Sequence, residues 1–91
     1  MPSVFRVGGL EEVHQLRRAF ANVLIRRRLG KRWSQVDLGG FSGLEHSYVS
    51  RLESGSRTPS LDVMMRLAHA FKIAPERLMK EVRVELEGLN R

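Results

Sequence analysis

The chain contains no cysteine among its 91 residues, which excludes disulfides, thiolate metal sites and a cysteine nucleophile. No apolar run approaches the ~20 residues that would cross a bilayer. The opening MPSVFRVGGLEEV lacks the apolar stretch of a secretion signal, so the expected location is the cytoplasm. Histidine is scarce too. His14, His46 and His69 stand in no metal-ligand spacing, so neither a metal nor a cofactor is expected. Paired carboxylates, a Ser/His/Asp set and a phosphate-cradling glycine loop in its required context are all missing, and the chain does not read as an enzyme.

Acidic residues are also in short supply. Ten Asp and Glu face sixteen Lys and Arg, for a net charge of +6, and the excess is unevenly placed. Residues 13–71 hold ten of the bases and four of the acids, while the two ends together hold six of each. A basic middle between neutral ends suits an anion-binding surface, with nucleic acid the first candidate. Hydrophobic content of 42%, with one Trp, one Tyr and four Phe, fits a single folded domain that buries roughly 60% of the extended chain's surface.

Periodicity predicts helices throughout. Val13, Leu16, Phe20, Val23 and Leu24 recur at three- and four-residue steps, which predicts a first helix from Leu10 or Glu11 to about Leu29. Glu11 and Glu12 begin it, Arg26, Arg27 and Arg28 end it, and Gly30 is a natural stop. Ser34 caps a short second helix from Gln35 to about Gly40, with Asp37 in its first turn. Two glycines in so short a helix cost roughly 1 kcal/mol each against alanine, so close packing is expected there. A third helix runs from about Glu45 to Ser54 and closes at Gly55. Ser60 caps a fourth, with Leu61, Met64, Met65, Ala68 and Phe71 as its expected apolar face. Pro75 opens a fifth, striped by Leu78, Met79, Val82, Leu86 and Leu89. The stretch VRVELEG also alternates with a period of two, so residues 82–88 admit a strand, although helix is favoured. Residues 4–7, VFRV, admit an arm, a strand or disorder.

Spacing across the second and third helices is the most informative pattern. Counting from Gln35, Leu38 is fourth, Gly39 fifth, Gly43 ninth, Leu44 tenth, Val49 fifteenth and Leu52 eighteenth. Two helices crossing at close range need a tiny residue at the fifth place, a left-handed backbone at the ninth and inward apolar groups at the others. All six requirements are met, as a helix-turn-helix demands.

Through SQVDLGG, SYVSRLESG and TPSLDVMMRLAHAF, the sequence resembles the Cro/phage-repressor family of helix-turn-helix DNA-binding domains. The likeness spans about residues 13–79. It implies an all-α, lambda repressor-like bundle of five helices that binds operator DNA as a two-fold dimer and regulates transcription. The expected organisation is an N-terminal arm and helix start over 1–12, the DNA-binding domain over 13–74 and a C-terminal element over 75–91. Phage repressors, restriction-modification controllers and antitoxins of toxin–antitoxin pairs share this pattern.

Matching the family's motif places His46, Ser47, Ser50 and Arg51 in or beside the major groove. Short polar groups and one long cation meet base edges better than a carpet of lysines. Arg51 can bridge O6 and N7 of a guanine, and His46 can donate to an acceptor such as guanine N7. Phosphate contacts are expected from Gln35 at the start of helix 2, from Arg57 and Thr58 after helix 3, and from the Tyr48 hydroxyl. Arg26, Arg27, Arg28, Lys31 and Arg32 form a weaker candidate, because cations end helices with no ligand at all. The resemblance makes Arg28 and Glu53 a structural ion pair, while Trp33, Tyr48, Phe20 and Phe71 read as core.

Three positions depart from the pattern. Ser42 takes the eighth place, where an apolar residue is usual, with Phe41 one place early; Glu45 replaces the usual hydroxyl cap of helix 3; and Arg32 stands where many members have glycine. A dimer surface is expected from leftover apolar groups at Val84, Leu86 and Leu89. The alternative function is an antitoxin-like interaction module on the same fold, gripping a protein partner such as a toxin or another regulator through Val82, Val84 and Leu86.

Overall fold

A computed structural model describes residues 9–90; residues 4–7 lie outside the described part. Among the described residues five helices follow one another: α1 (Leu10–Gly30), α2 (Gln35–Ser42), α3 (His46–Glu53), α4 (Leu61–Phe71) and α5 (Pro75–Leu89). Among the described residues there is no strand, and α5 runs unbroken through 82–88.

Helix ends follow local chemistry. At the start of α2 the Ser34 hydroxyl accepts from the Asp37 amide at 3.0 Å, and the Asp37 carboxylate accepts from the Ser34 amide at 2.8 Å. This reciprocal pair satisfies two donors that no helical carbonyl can reach. At the start of α4 the Ser60 hydroxyl accepts from the Val63 amide at 3.1 Å, a one-way cap. α1 ends at Gly30, the expected stop, and the chain turns two residues later at Arg32, with φ 60°. The Trp33 amide then donates back to the Arg28 carbonyl at 3.1 Å. Arg32 thus occupies the left-handed conformation that explains why glycine suits this position.

The core is one cluster with all five helices in it or against it. Phe20, Leu24, Leu38, Leu52, Leu67, Leu78, Val23, Val49 and Val82 are almost completely buried. Each such side chain contributes about 1.5–3 kcal/mol of transfer free energy. α1 packs along α5 and across α3, α2 bridges α3 and α4, and α4 rests on α5. Phe20 and Phe71 are core, as expected, while Trp33 and Tyr48 pack on it half-buried.

Two expected faces are corrected. On α4 the buried side chains are Val63, Leu67, Ala68, Ala70 and Phe71, whereas Leu61 and Met65 point to solvent. The run LDVMMRLAHAF carries more apolar positions than one face can hold, so periodicity alone admits two rotations of the helix. On α5, Met79 is exposed, and Leu86, expected to be spare, is buried in the chain's own core. Leu89 is half-buried, which leaves Val84 as the exposed member of the proposed dimer stripe.

Candidate nucleic-acid interface

The seating of α3 begins with a glycine. A Cβ at Gly39 would lie 2.5 Å from the Leu44 carbonyl oxygen, so only a bare Cα allows α2 to approach the start of α3. Gly40 meets nothing within 4 Å, and this packing makes no demand on it. Between the helices Gly43 takes the left-handed conformation, φ 73°, and the Leu44 amide donates to the Gly39 carbonyl at 2.9 Å. Val49 and Leu52 then enter the core with no exposure. Ser42 is buried yet satisfied, its hydroxyl donating to the Leu38 carbonyl at 2.6 Å. That bond lets a polar residue hold a place usually apolar. Phe41, exposed one place early, lays its ring 4.6 Å from Trp33, which in turn stacks on Phe71.

With its inner side fixed, α3 turns His46, Ser47, Ser50 and Arg51 to solvent together, all four exposed. Glu45 is the N-cap residue but makes no side-chain cap bond. Tyr48 lies half-buried at the margin of this face. Arg57 and Thr58 follow on the exposed loop after α3, where Gly55 takes φ 77°. The Thr58 hydroxyl accepts from Arg17 Nε at 2.7 Å, a tie from α1 that spans 41 residues and has no periodic signal in the sequence.

Gln35 behaves differently from a free phosphate ligand. Its side-chain amide donates to Glu53 Oε1 at 3.0 Å. Glu53 also receives Arg28 Nε at 2.6 Å and Nη2 at 3.0 Å, and Arg28 Nη1 donates to the Trp33 carbonyl at 2.7 Å. Hydrogen bonding to Glu53 raises the Arg28 guanidinium above its ordinary value. The expected ion pair is therefore present, and it holds α1, the α1–α2 turn and α3 together. Only the backbone amides in the first turn of α2 remain at Gln35 for an anion.

Of the cations at the end of α1, Arg26 and Arg27, like Arg28, are paired with glutamates within the fold, whereas Lys31 and Arg32 are exposed. Arg26 donates to Glu85 at 2.8 Å, where Asn22 also donates at 3.0 Å, and Arg27 makes two bonds to Glu81. Residue numbers rise on α1 as they fall on α5, so the pairs lock the two helices antiparallel. The Arg27 bonds hold the Glu81 carboxyl below its usual range, and the Arg26 and Asn22 bonds do the same for Glu85. An open groove runs between these helices, lined by residues of α1, of α5 and by Lys31 in the turn after α1, with Lys80 and Val84 on the α5 side. It shares no residue with the outer face of α3.

A close-packed pair of short helices, with the second presenting small polar groups and an arginine outward, defines a helix-turn-helix protein. A helix-turn-helix family model matches residues 24–78, and the chain belongs to that family in its Cro/phage-repressor form. Among solved structures it is similar to the restriction-modification controller protein C.AhdI from Aeromonas hydrophila, with 39% identity over 68% of this chain and 94% of that one and a TM-score of 0.65. It is also similar to the hypothetical transcription factor NHTF from Neisseria, with 30% identity over 74% of this chain and 75% of that one and a TM-score of 0.67. The clp gene regulator ClgR from Corynebacterium glutamicum shares the fold, with a TM-score of 0.74 at 23% identity over 81% of this chain and 79% of that one. A comparison with curated proteins gives no match. The chain is a DNA-binding transcriptional regulator and not an enzyme. Among the described residues no helix is long and apolar enough to cross a membrane.

Proposed function

We propose that the protein acts in the cytoplasm as a homodimer on a palindromic operator, with α3 of each protomer in the major groove. The observation that carries this reading is the single exposed surface formed by His46, Ser47, Ser50 and Arg51, opposite a fully buried Val49 and Leu52. Arg51 bridges a guanine, His46 and the two serines approach neighbouring base edges, and among the described residues none of the four spends its side chain on an ion pair. Arg57, Thr58, the first-turn amides at Gln35 and the Tyr48 hydroxyl hold the flanking phosphates. Two recognition helices related by a two-fold axis read half-sites about 34 Å apart. The 39% identity to a restriction-modification controller favours a controller role over other regulator types.

Selection from a random duplex library tests the reading. A palindrome should emerge, and affinity for arbitrary duplex should fall steeply with salt as counterions are released. Failure to enrich any sequence would instead leave an interaction module on the same fold.

A further inference from the structure

The proposed dimer needs a surface, and α5 no longer offers the expected one, because Leu86 is buried within the protomer. Among the described residues Leu61 is the most exposed large apolar side chain, at 81%. Met65, one turn further along α4, is 52% exposed. The other exposed large apolar residues, Leu10, Leu29, Val36, Phe41, Met79 and Val84, include no second pair at helical i, i+4 spacing. Beside the Leu61–Met65 strip runs a charged strip, Asp62 and Arg66, exposed and paired with each other at 3.0 Å. α4 also starts two residues beyond Pro59, directly after the Arg57–Thr58 loop.

We infer that the outer face of α4 is the homodimer surface, joined to the same face of a second copy in antiparallel fashion. The occupant follows from the arrangement of charge. In a two-fold contact each residue i meets j while j meets i. An axis crossing α4 midway between Leu61 and Arg66 sets Leu61 against the partner's Met65 and Asp62 against the partner's Arg66. Such an axis keeps each strip on its own side, so apolar faces apolar and acid faces base twice over. A partner with the reverse charge order meets like charges there, and an uncharged one leaves both charges unmatched. The surface is small, so the dimer dissociates on dilution and is reinforced on the operator, where both protomers are held side by side. The inference rests on the proposed two-fold binding to a palindrome.

Sedimentation of the full chain without DNA, across a dilution series, tests it. Leu61→Glu, Asp62→Arg and Arg66→Asp should each weaken dimerisation at least about tenfold, with unchanged helical content confirming that the variants fold. Mixing Asp62→Arg with Arg66→Asp should restore the dimer, because unlike charges then meet across the axis while the pair within each helix stays broken. Variants that dimerise like the wild type, or a mixture that stays monomeric, would overturn the α4 surface and leave the DNA reading intact. A wild type that is monomeric throughout and selects only an isolated half-site would overturn the two-fold reading itself.

Discussion

Two groups of arginines divide the labour of this small domain. At the end of α1, Arg26, Arg27 and Arg28 each bind a glutamate, on α5 or α3. Around α3, Arg51 and Arg57 are exposed and make no ion pair among the described residues. Sequence proximity to a helix-turn-helix made both groups candidates for DNA. The fold separates them by supplying carboxylates to one and withholding them from the other. A cation already neutralised releases little counterion on meeting a phosphate, whereas an unpaired one contributes fully. Positive charge therefore identifies a nucleic-acid surface only after its internal partners have been subtracted.

The sharpest test of that division is Arg28→Ala. The Arg28 and Glu53 side chains are 13% and 5% exposed, so removing the arginine strands a buried carboxylate and leaves Gln35 as its remaining ligand. Stability should fall by about 3–5 kcal/mol in denaturant unfolding. A loss below about 1 kcal/mol would show that the pair does not hold α1 to α3. Second in size is Arg51→Ala, which should leave stability within about 0.5 kcal/mol. Discrimination at one symmetric operator position should drop by about 1–3 kcal/mol, measured against single-base variants of the selected site. Arg57→Ala should instead weaken all duplexes alike and reduce the salt slope by about 1. If both variants behave identically, base and phosphate roles are not divided as proposed.

Smaller effects attend the α1–α5 pairs, which are partly solvated. Arg27→Gln should cost about 0–1 kcal/mol of stability and leave the salt slope unchanged. Glu81 and Glu85 titrate below their ordinary value near 4.5 in the fold. Their contribution is therefore present above that value and is lost as pH falls below it. Thermal melts of Glu81→Gln/Glu85→Gln should show less acid destabilisation than the wild type over that range. A parallel pH dependence would mean that other carboxylates carry it.

How much of this was legible in the sequence depends on whether one residue or a face was being placed. Gly39, Gly43 and the inward set Leu38, Val49 and Leu52 were readable because each position admits few residue types for steric reasons. The exposed set on α3 followed by complementarity, as did the Arg28–Glu53 pair by resemblance. The face of α4 was not readable, because eight of its eleven residues are apolar and two stripes fit equally. Helix 5 misled for a related reason: Leu86 looks spare until Glu81 and Glu85 are seen to lock α5 along α1, which turns Leu78, Val82 and Leu86 inward together. Nor could spacing reveal that Gln35 spends its side chain on Glu53, or that Arg17 reaches Thr58. Contacts between separate elements at such distances in the chain carry no local period.

Placing a photoreactive side chain at position 50 of α3, or at position 26 of α1, asks the central question directly once each protein is bound to the selected duplex. Crosslinks from position 50 to bases inside each half-site, with none from position 26, are the predicted result. Adducts from position 26 without any from position 50 would contradict the assignment of α3 as the reading element.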